Sequence, residues 1–317
     1  MTIAQPPPPD RLNLQEKLRA GRFVITAEIT PPVSFDANDL LRKVLPLRGL
    51  ADAINITDGA SAHTHLSAPL AAALLVQNGI EPILQLTCRD RNRIALQADL
   101  LGAAASGVQN LLLLTGDDPK AGDQPETKAV FDIDSTRLTE MARGMRDRGE
   151  LPTGRKIAGK AEFFLGAADL PVDPPPGWQP TKLAAKAAAG AQFVQTQFCM
   201  DVAVARRYAQ ALAQHELTRD LFPLIGIAPL RSAKSAAWMK RHLFGTIIAD
   251  AYVERMEKSS DPAAEGERIC VELIAELAQI PGVRGVHLMA PANEAALSSV
   301  IAAARSLLTE LPGVSWT

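Results

Sequence analysis

Glu28 stands at the end of an apolar run at 23–29, and two prolines follow almost at once. Because burial disfavours the charged form of an acid, a carboxyl group at the exit of a buried strand can keep its proton near neutral pH. Such a group can act as a general acid, which is the chemistry that Glu28 suggests. The alternative is a salt bridge across the same region, with Arg89 or Arg91 as the partner.

Further polar side chains stand where other apolar runs end. They are Thr57, Asp58, Thr87, Thr115, Asp117 and Gln197. Asp117 could be a second functional acid or the cap of a turn, since Asp is common in turns, and Gln197 could be a functional amide or a satisfied buried one. His63 and His65 have no third metal ligand at a recognisable spacing, so we predict no metal site.

Eight strand-like apolar runs recur along the chain, and helix-like segments separate them. The runs are 23–29, 53–57, 82–88, 111–115, 157–164, 193–198, 223–228 and 285–290. This alternation favours an α/β fold of the (β/α)8 TIM-barrel type. A doubly wound open sheet is the alternative, but no Gly-rich dinucleotide-binding turn follows the first run. In a barrel the carboxyl ends of the strands meet at one mouth, so we expect the polar side chains to converge there.

The helical segments show periodic apolar residues and stop signals. The clearest is 92–106, with Gly107 as its C-terminal stop. Four of its apolar residues fall on one face: Ile94, Ala98, Leu101 and Ala105. Asp201 is the predicted N-cap of a helix at 202–214. We also predict extra helices between strands 7 and 8, one of them at 266–277.

Composition limits the functional classes. The 317 residues carry 33 basic and 35 acidic side chains, and this balance argues against a nucleic-acid-binding surface. Three cysteines do not form a disulfide framework, which fits a reducing cytoplasm. No apolar run approaches the roughly 20 residues that span a bilayer, so we expect no membrane segment. We predict a Pro-rich tail and lead-in helix at 1–20 and a single catalytic barrel at 21–317, and a homo-oligomer remains an open hypothesis.

Six motifs, taken in order, resemble the methylenetetrahydrofolate reductase family, and the resemblance extends from about Arg22 to Leu308. The motifs are Ala-Glu-Ile-Thr-Pro-Pro at 27–32, Asn-Ile-Thr-Asp-Gly-Ala at 55–60, Leu-Thr-Cys at 86–88, Leu-Thr-Gly-Asp-Asp-Pro at 114–119, Lys186 with Ala-Gly-Ala at 189–191, and Gln-Thr-Gln-Phe at 195–198. The resemblance implies a short form without the regulatory domain of animal relatives. It also implies a barrel that binds FAD and reduces 5,10-methylenetetrahydrofolate to 5-methyltetrahydrofolate with NADH or NADPH.

The resemblance also implies roles for individual residues. Glu28 would protonate the folate N10, Gln197 would bind the pterin, and Asp117 would lie beside the flavin pyrimidine and the folate. Lys186 would contact the phosphate-bearing side of the flavin. The other implied cofactor-binding residues are Thr57, Asp58, Gln85, Thr87, Thr115 and Gly116.

The chain departs from the family pattern at several of these positions. Gln85 stands where a His is common, Thr115 where an Arg is common, and Asp58 where a Tyr is found. Ala233 replaces an aromatic residue, and 160–164 lacks a Tyr-Pro-Glu-x-His pattern. A flavin-independent reductase is therefore the second hypothesis, and a pterin-binding partner subunit of a larger complex is the third.

Overall fold

A computed structural model describes residues 12–311, in which strands and helices alternate. The strands are β1 (Val24–Ile29), β2 (Ala53–Ile56), β3 (Pro82–Thr87), β4 (Asn110–Leu114), β5 (Phe164–Asp169), β6 (Phe193–Met200), β7 (Phe222–Ile227), β8 (Ile247–Ile248) and β9 (Gly285–Leu288). The α-helices are α1 (Leu14–Arg19), α2 (Ala37–Val44), α3 (Ala68–Gln77), α4 (Arg93–Ala105), α5 (Ser135–Arg148), α6 (Thr181–Ala189), α7 (Val202–Gln214), α8 (Ala233–His242), α9 (Asp250–Lys258), α10 (Pro262–Leu277) and α11 (Leu297–Thr309).

The sheet closes into a barrel of eight parallel strands. β1 pairs with β2 on one side and with β9 on the other, and β5 pairs with β6, which completes the ring. The two-residue strand β8 pairs only with the last residues of β6 and stands outside the ring. The predicted (β/α)8 TIM barrel is confirmed, and so are the extra helices, because α8, α9 and α10 lie between β7 and β9.

Several local predictions are also confirmed. Asp201 caps α7, since its side chain accepts a hydrogen bond from the backbone N–H of Val204. Helix α4 ends next to Gly107, which has a φ of 80° that glycine adopts readily. The predicted lead-in helix corresponds to α1, and the Pro-rich tail at 1–10 lies outside the described residues. No helix between residues 12 and 311 combines the length and the apolar character needed to cross a membrane.

One prediction from the sequence is wrong in detail. The fifth strand is not 157–164 but begins at Phe164, because the earlier residues fold back on the end of α5, where the Ile157 N–H donates to the Gly149 carbonyl over 2.8 Å. The strand itself is rich in Gly and Ala, which carry little strand signal. The sequence predicted helix α4 but did not say which side of it is buried: Ile94 and Leu101 are exposed, and Leu96, Leu100 and Ala103 pack against the core.

The N-terminal end of the barrel is filled by apolar side chains. One buried cluster inside the strands consists of Val24, Ala53, Ile83, Leu112, Phe164, Phe193 and Leu224, with Leu14 and Leu18 contributed by α1. The rings of Phe164 and Phe193 stack with centroids 4.9 Å apart. Gly166 makes room for them, since a Cβ at that position would lie 2.2 Å from the Phe193 ring. This filling leaves the opposite, C-terminal end as the open one.

Candidate active site

A cavity of about 750 Å³ opens at the C-terminal mouth of the barrel. Nine of the ten residues predicted from the sequence line it: Glu28, Asp58, Gln85, Thr87, Thr115, Gly116, Asp117, Lys186 and Gln197. The tenth, Thr57, is buried at the end of β2 and is not among the lining residues. The mouth therefore collects predicted side chains that are up to 169 positions apart in sequence, the separation of Glu28 and Gln197, and His287 and Met289 from the end of the chain line it too.

Glu28 lies on the inner face of β1, and 23% of its side chain is exposed in the cavity. Gln85 donates a hydrogen bond from Nε2 to Glu28 Oε2 over 2.8 Å. The alternative of a salt bridge to arginine is wrong, because Arg89 pairs with Asp90 and Arg91 pairs with other acids. Glu28 is thus held by an amide and keeps one oxygen for a ligand.

A buried polar network lies directly below Glu28. Gln195 donates from Nε2 to Asn55 Oδ1 over 3.0 Å and accepts from Asn55 Nδ2 over 2.6 Å. His287 Nδ1 lies 3.0 Å from Thr26 Oγ1 and 3.2 Å from Gln195 Nε2. The His287 Nε2 atom lies 3.4 Å from Glu28 Oε2.

None of these four network residues was identified from the sequence. The missing signal was the two-residue repeat of a strand, which places Thr26 below Glu28, Asn55 below Thr57 and Gln195 below Gln197. His287 lies opposite Thr26 in the register of β1 and β9.

Asp58 lines the cavity, but other protein groups hold its carboxylate. Arg91 donates to both oxygens, over 2.6 and 3.0 Å, and the backbone N–H and hydroxyl of Thr87 donate to Oδ2 over 2.8 and 3.0 Å. Arg91 also pairs with Asp99. The charge of Asp58 is therefore largely compensated within the protein, and its main effect is to brace the ends of β2 and β3.

Asp117 has a freer carboxylate. It accepts no hydrogen bond from residues 12–311, and its charge acts on the Arg89 guanidinium, whose pKa it helps to raise. Gly116 before it has a φ of 97°, and a Cβ there would lie 2.9 Å from Arg89 Cβ and 3.1 Å from Thr87 Cβ. Glycine is thus needed for the chain to turn close to β3, and this turn presents Asp117 at the mouth.

Gln197 presents its amide nitrogen to the cavity. Its Oε1 accepts the backbone N–H of Phe198 over 3.0 Å, and Nε2 has no acceptor among the described residues. The register between β6 and β7 is irregular at this point, where Thr196 Oγ1 accepts the N–H of Gly226 over 2.9 Å. Irregular strand ends of this kind often direct a side chain towards a site.

The wall next to β5 carries charged groups and an aromatic ring. Tyr208 donates to Asp169 over 2.5 Å, and burial raises the pKa of Asp169 above its usual range. Lys186 donates from Nζ to the Ala168 carbonyl over 2.5 Å, and burial lowers its pKa. Trp178 both lines the cavity and packs against Tyr208, with ring centroids 6.1 Å apart.

Two other groups of residues are unsuited to catalysis. Burial raises the pKa of the Cys88 thiol to about 11 and that of Cys199 to about 12, so both remain protonated and behave as packing residues. His63 and His65 line a separate cavity of about 290 Å³. Within the described part of the chain, no three His, Cys, Asp or Glu side chains are grouped so that they could hold a metal ion.

The fold and the mouth define a TIM-barrel protein with a small-molecule site at the C-terminal ends of its strands. A model of the family described as methylenetetrahydrofolate reductase matches residues 13–305, and the chain belongs to that family.

Known relatives are distant. Over 244 residues the chain is 24% identical to a protein of Caenorhabditis elegans named "Probable methylenetetrahydrofolate reductase (NADPH)", and the match covers 74% of this chain and 34% of the relative. The chain thus spans about a third of the length of that curated relative.

A solved structure supports the fold. It is an uncharacterized protein from Clostridium thermocellum that binds two copies of 5-methyl-5,6,7,8-tetrahydrofolic acid. The TM-score is 0.63 at 15% identity, with 93% of this chain and 98% of that chain covered.

Proposed function

We propose that this protein reduces 5,10-methylenetetrahydrofolate to 5-methyltetrahydrofolate with NADH or NADPH as the electron source. The observation that carries the proposal is Glu28, whose Oε2 is held by Gln85 and whose Oε1 is left for a ligand in the mouth. Membership of the family supports the same reaction. The NADPH in the name of the worm relative and the methylated folate bound by the Clostridium protein are consistent with it.

Three polar groups of the mouth have roles in this reaction. Glu28 donates a proton to the folate N10, so that the five-membered ring opens and the methylene carbon becomes ready to accept hydride. The free Nε2 of Gln197 donates a hydrogen bond to an acceptor of the pterin. Asp117 accepts from pterin N–H groups, because its carboxylate has no hydrogen-bond donor in residues 12–311.

The residues present suit a flavin at the same mouth. Thr57 Oγ1 is buried at the end of β2, just outside the lining of the cavity, and has no hydrogen-bond partner in residues 12–311. Lys182 and Lys186 line the cavity on the side of α6 and match the charge of a phosphate group. The turn at Gly116 offers backbone groups. When bound, FAD would carry hydride between the nicotinamide and the folate.

A second candidate is a flavin-independent reductase, in which hydride passes directly from the nicotinamide to the folate. Two of the residues expected to bind the flavin support it, because Asp58 is neutralised by Arg91 and the amide of Gln85 is committed to Glu28. An absorbance spectrum of the purified protein separates the two candidates. A flavin band that is bleached by NADH or NADPH supports the first, and active protein without that band supports the second.

Replacing Glu28 by Gln tests the proposed reaction. The variant keeps the shape of the side chain but cannot donate a carboxyl proton, so we expect formation of 5-methyltetrahydrofolate to fall about 10²–10⁴-fold. Binding of 5-methyltetrahydrofolate and reduction of any bound flavin by the nicotinamide should persist. The proposal fails if the unmodified protein, alone in solution, forms no 5-methyltetrahydrofolate. Turnover by the lone chain also excludes a mere partner subunit.

A further inference from the structure

The two oxygens of Glu28 have different surroundings. Oε2 receives the hydrogen bond from Gln85 Nε2 at 2.8 Å and has His287 Nε2 at 3.4 Å. No hydrogen bond reaches Oε1 from residues 12–311. The two side chains next to Oε2 are Gln85 from β3 and His287 from β9, and these strands lie on opposite sides of β1 in the sheet order.

The hydrogen-bond network determines which nitrogen of His287 carries the proton. The Nε2 of Gln195 lies 3.2 Å from His287 Nδ1 and 3.1 Å from Thr26 Oγ1, and that hydroxyl lies 3.0 Å from Nδ1, so the amide and the hydroxyl can both donate to Nδ1. On the other side of the ring, Glu28 Oε2 accepts from Gln85 and presents a lone pair to Nε2, which favours a proton on Nε2 and leaves Nδ1 to accept. A neutral imidazole then carries its proton on Nε2, which is the nitrogen that faces Glu28.

We propose that Gln85 and His287 are positioning residues that make Oε2 the accepting oxygen of Glu28 and reserve Oε1 for the transferable proton. The inference rests on the proposed reduction of methylenetetrahydrofolate. In the acid form Oε2 is the carbonyl oxygen and accepts from both nitrogens. During the reaction the Oε1–H bond breaks, its electron pair stays on the carboxylate, and the proton forms the new N10–H bond.

The same two donors become more important after the transfer. Hydrogen bonds to an ionised acceptor are shorter and stronger than those to a neutral one. Gln85 and His287 therefore stabilise the carboxylate that forms in the transition state more than the acid that binds the substrate. Such groups change kcat rather than substrate binding. This gives Gln85 a different role from the cofactor contact implied by the family resemblance.

Matched substitutions at His287 test the geometry. The amide nitrogen of Gln reaches the position of the imidazole Nε2, whereas that of Asn reaches only the position of Nδ1. We expect His287→Gln to keep kcat within about threefold of the unmodified protein. His287→Asn removes the donor to Glu28 and should lower kcat about 10–100-fold, the loss expected for one hydrogen bond to a charged group.

A substitution at Gln85 provides an independent test of the same proposal. Gln85→Met retains the length of the side chain without a donor, and we expect the same 10–100-fold loss of kcat. The KM for methylenetetrahydrofolate and the Kd for 5-methyltetrahydrofolate should change less than about threefold. The solvent deuterium isotope effect on kcat should increase, because proton transfer becomes slower. If Gln85→Met does not fold, the shorter amide of Gln85→Asn withdraws the donor and has the same expected result.

Three outcomes overturn the inference. In the first, Gln85→Met and His287→Asn both turn over at the unmodified rate while the unmodified protein is active, which leaves the proposed function intact. In the second, His287→Gln and His287→Asn are equally impaired, which indicates packing rather than donation. In the third, the unmodified protein makes no 5-methyltetrahydrofolate, and the inference fails together with the proposed function.

Discussion

The two ends of the barrel differ in whether their polar side chains find hydrogen-bond or ion-pair partners within the protein. At the C-terminal mouth, Asp117, the Thr57 hydroxyl and the Gln197 nitrogen have no hydrogen-bond partner within residues 12–311. At the N-terminal end, Asp52 is held by Lys17 at 2.5 Å and by Arg305 at 3.0 Å. An unpaired polar group is unfavourable when it is buried, whereas the exposed carboxylate of Asp117 is solvated and remains open to a ligand. The mouth thus keeps polar groups that a ligand can reach, and the N-terminal end uses its polar groups to hold the fold together.

The cavities agree with this contrast. The cavity at the mouth measures about 750 Å³, and the one at the N-terminal end measures about 240 Å³. Glu81 lines the smaller cavity, where its Oε1 accepts from the Leu14 N–H over 2.9 Å and from Asn110 over 2.8 Å. These bonds fasten α1 across the end of the barrel. The polar groups at the N-terminal end therefore help to hold α1 across the barrel.

Exchanging one acid at each end should separate stability from binding. Asp52→Ala leaves Lys17 and Arg305 without their buried carboxylate, so we expect the free energy of unfolding to fall by about 3–5 kcal/mol. Asp117→Asn should change it by no more than about 0.5 kcal/mol, because that carboxylate is exposed and accepts no hydrogen bond from residues 12–311. Its effect should appear in 5-methyltetrahydrofolate affinity or turnover, as a loss of about tenfold or more.

Urea unfolding and equilibrium binding of 5-methyltetrahydrofolate measure both effects. An exposed ion pair serves as the control: Asp173→Ala removes the partner of Arg207 and should cost at most about 1 kcal/mol. A stable Asp52→Ala protein with impaired binding would contradict the separation of the two ends.

A second substitution concerns the apolar filling of the N-terminal end. Gly166→Ala would place a Cβ 2.2 Å from the Phe193 ring, and we expect a loss of about 1–3 kcal/mol from overpacking. Gly102→Ala is the matched control. Gly102 lies within α4 with open space around it, and its replacement should stabilise the protein by about 0.5–1 kcal/mol. The melting temperature should therefore fall for Gly166→Ala and rise for Gly102→Ala. Equal shifts of the two melting temperatures would show that the interior tolerates more volume.

The sequence predicted the barrel well because its signals are local. Seven of the eight barrel strands coincide with apolar runs that the sequence predicts as strands, and caps such as Asp201 mark helix starts. The fifth strand was misplaced because the Gly and Ala residues of 166–168 look like a loop. The buried side of α4 was not predictable, since periodicity shows that residues share a face but not which neighbour covers it.

The site was only half predictable for a related reason. Residues at strand exits, such as Glu28 and Asp117, can be found from position alone. Their partners depend on register and on distance across the barrel, as for Gln85, which reaches Glu28 from β3, and His287, which reaches it from β9. The ion pair between Asp58 and Arg91 likewise forms only in the folded chain. Sequence spacing contains none of this information.

The smallest expected effect concerns Glu81 and has a defined dependence on pH. Burial raises the pKa of Glu81 above its usual range, so the folded protein binds this proton more tightly than the unfolded chain does. Stability from this group is complete at acidic pH and is lost as pH rises through the raised pKa. Glu81→Gln keeps an oxygen for Leu14 and Asn110 but cannot titrate. The unmodified protein should therefore lose stability relative to Glu81→Gln as pH rises above about 4, the ordinary pKa of a Glu side chain.

Urea unfolding at several pH values measures this difference, with Glu257→Gln on the exposed surface of α9 as the control for general charge. The free energy of unfolding of the control should vary with pH in the same way as that of the unmodified protein. A parallel Glu81→Gln curve would mean that the Glu81 carboxyl is solvated and does not fasten α1 as an acid. Stability curves that diverge as pH rises would show that the Glu81 carboxyl helps to hold α1 across the N-terminal end. At that end the polar group has its partners within the protein, in contrast to the polar groups of the mouth.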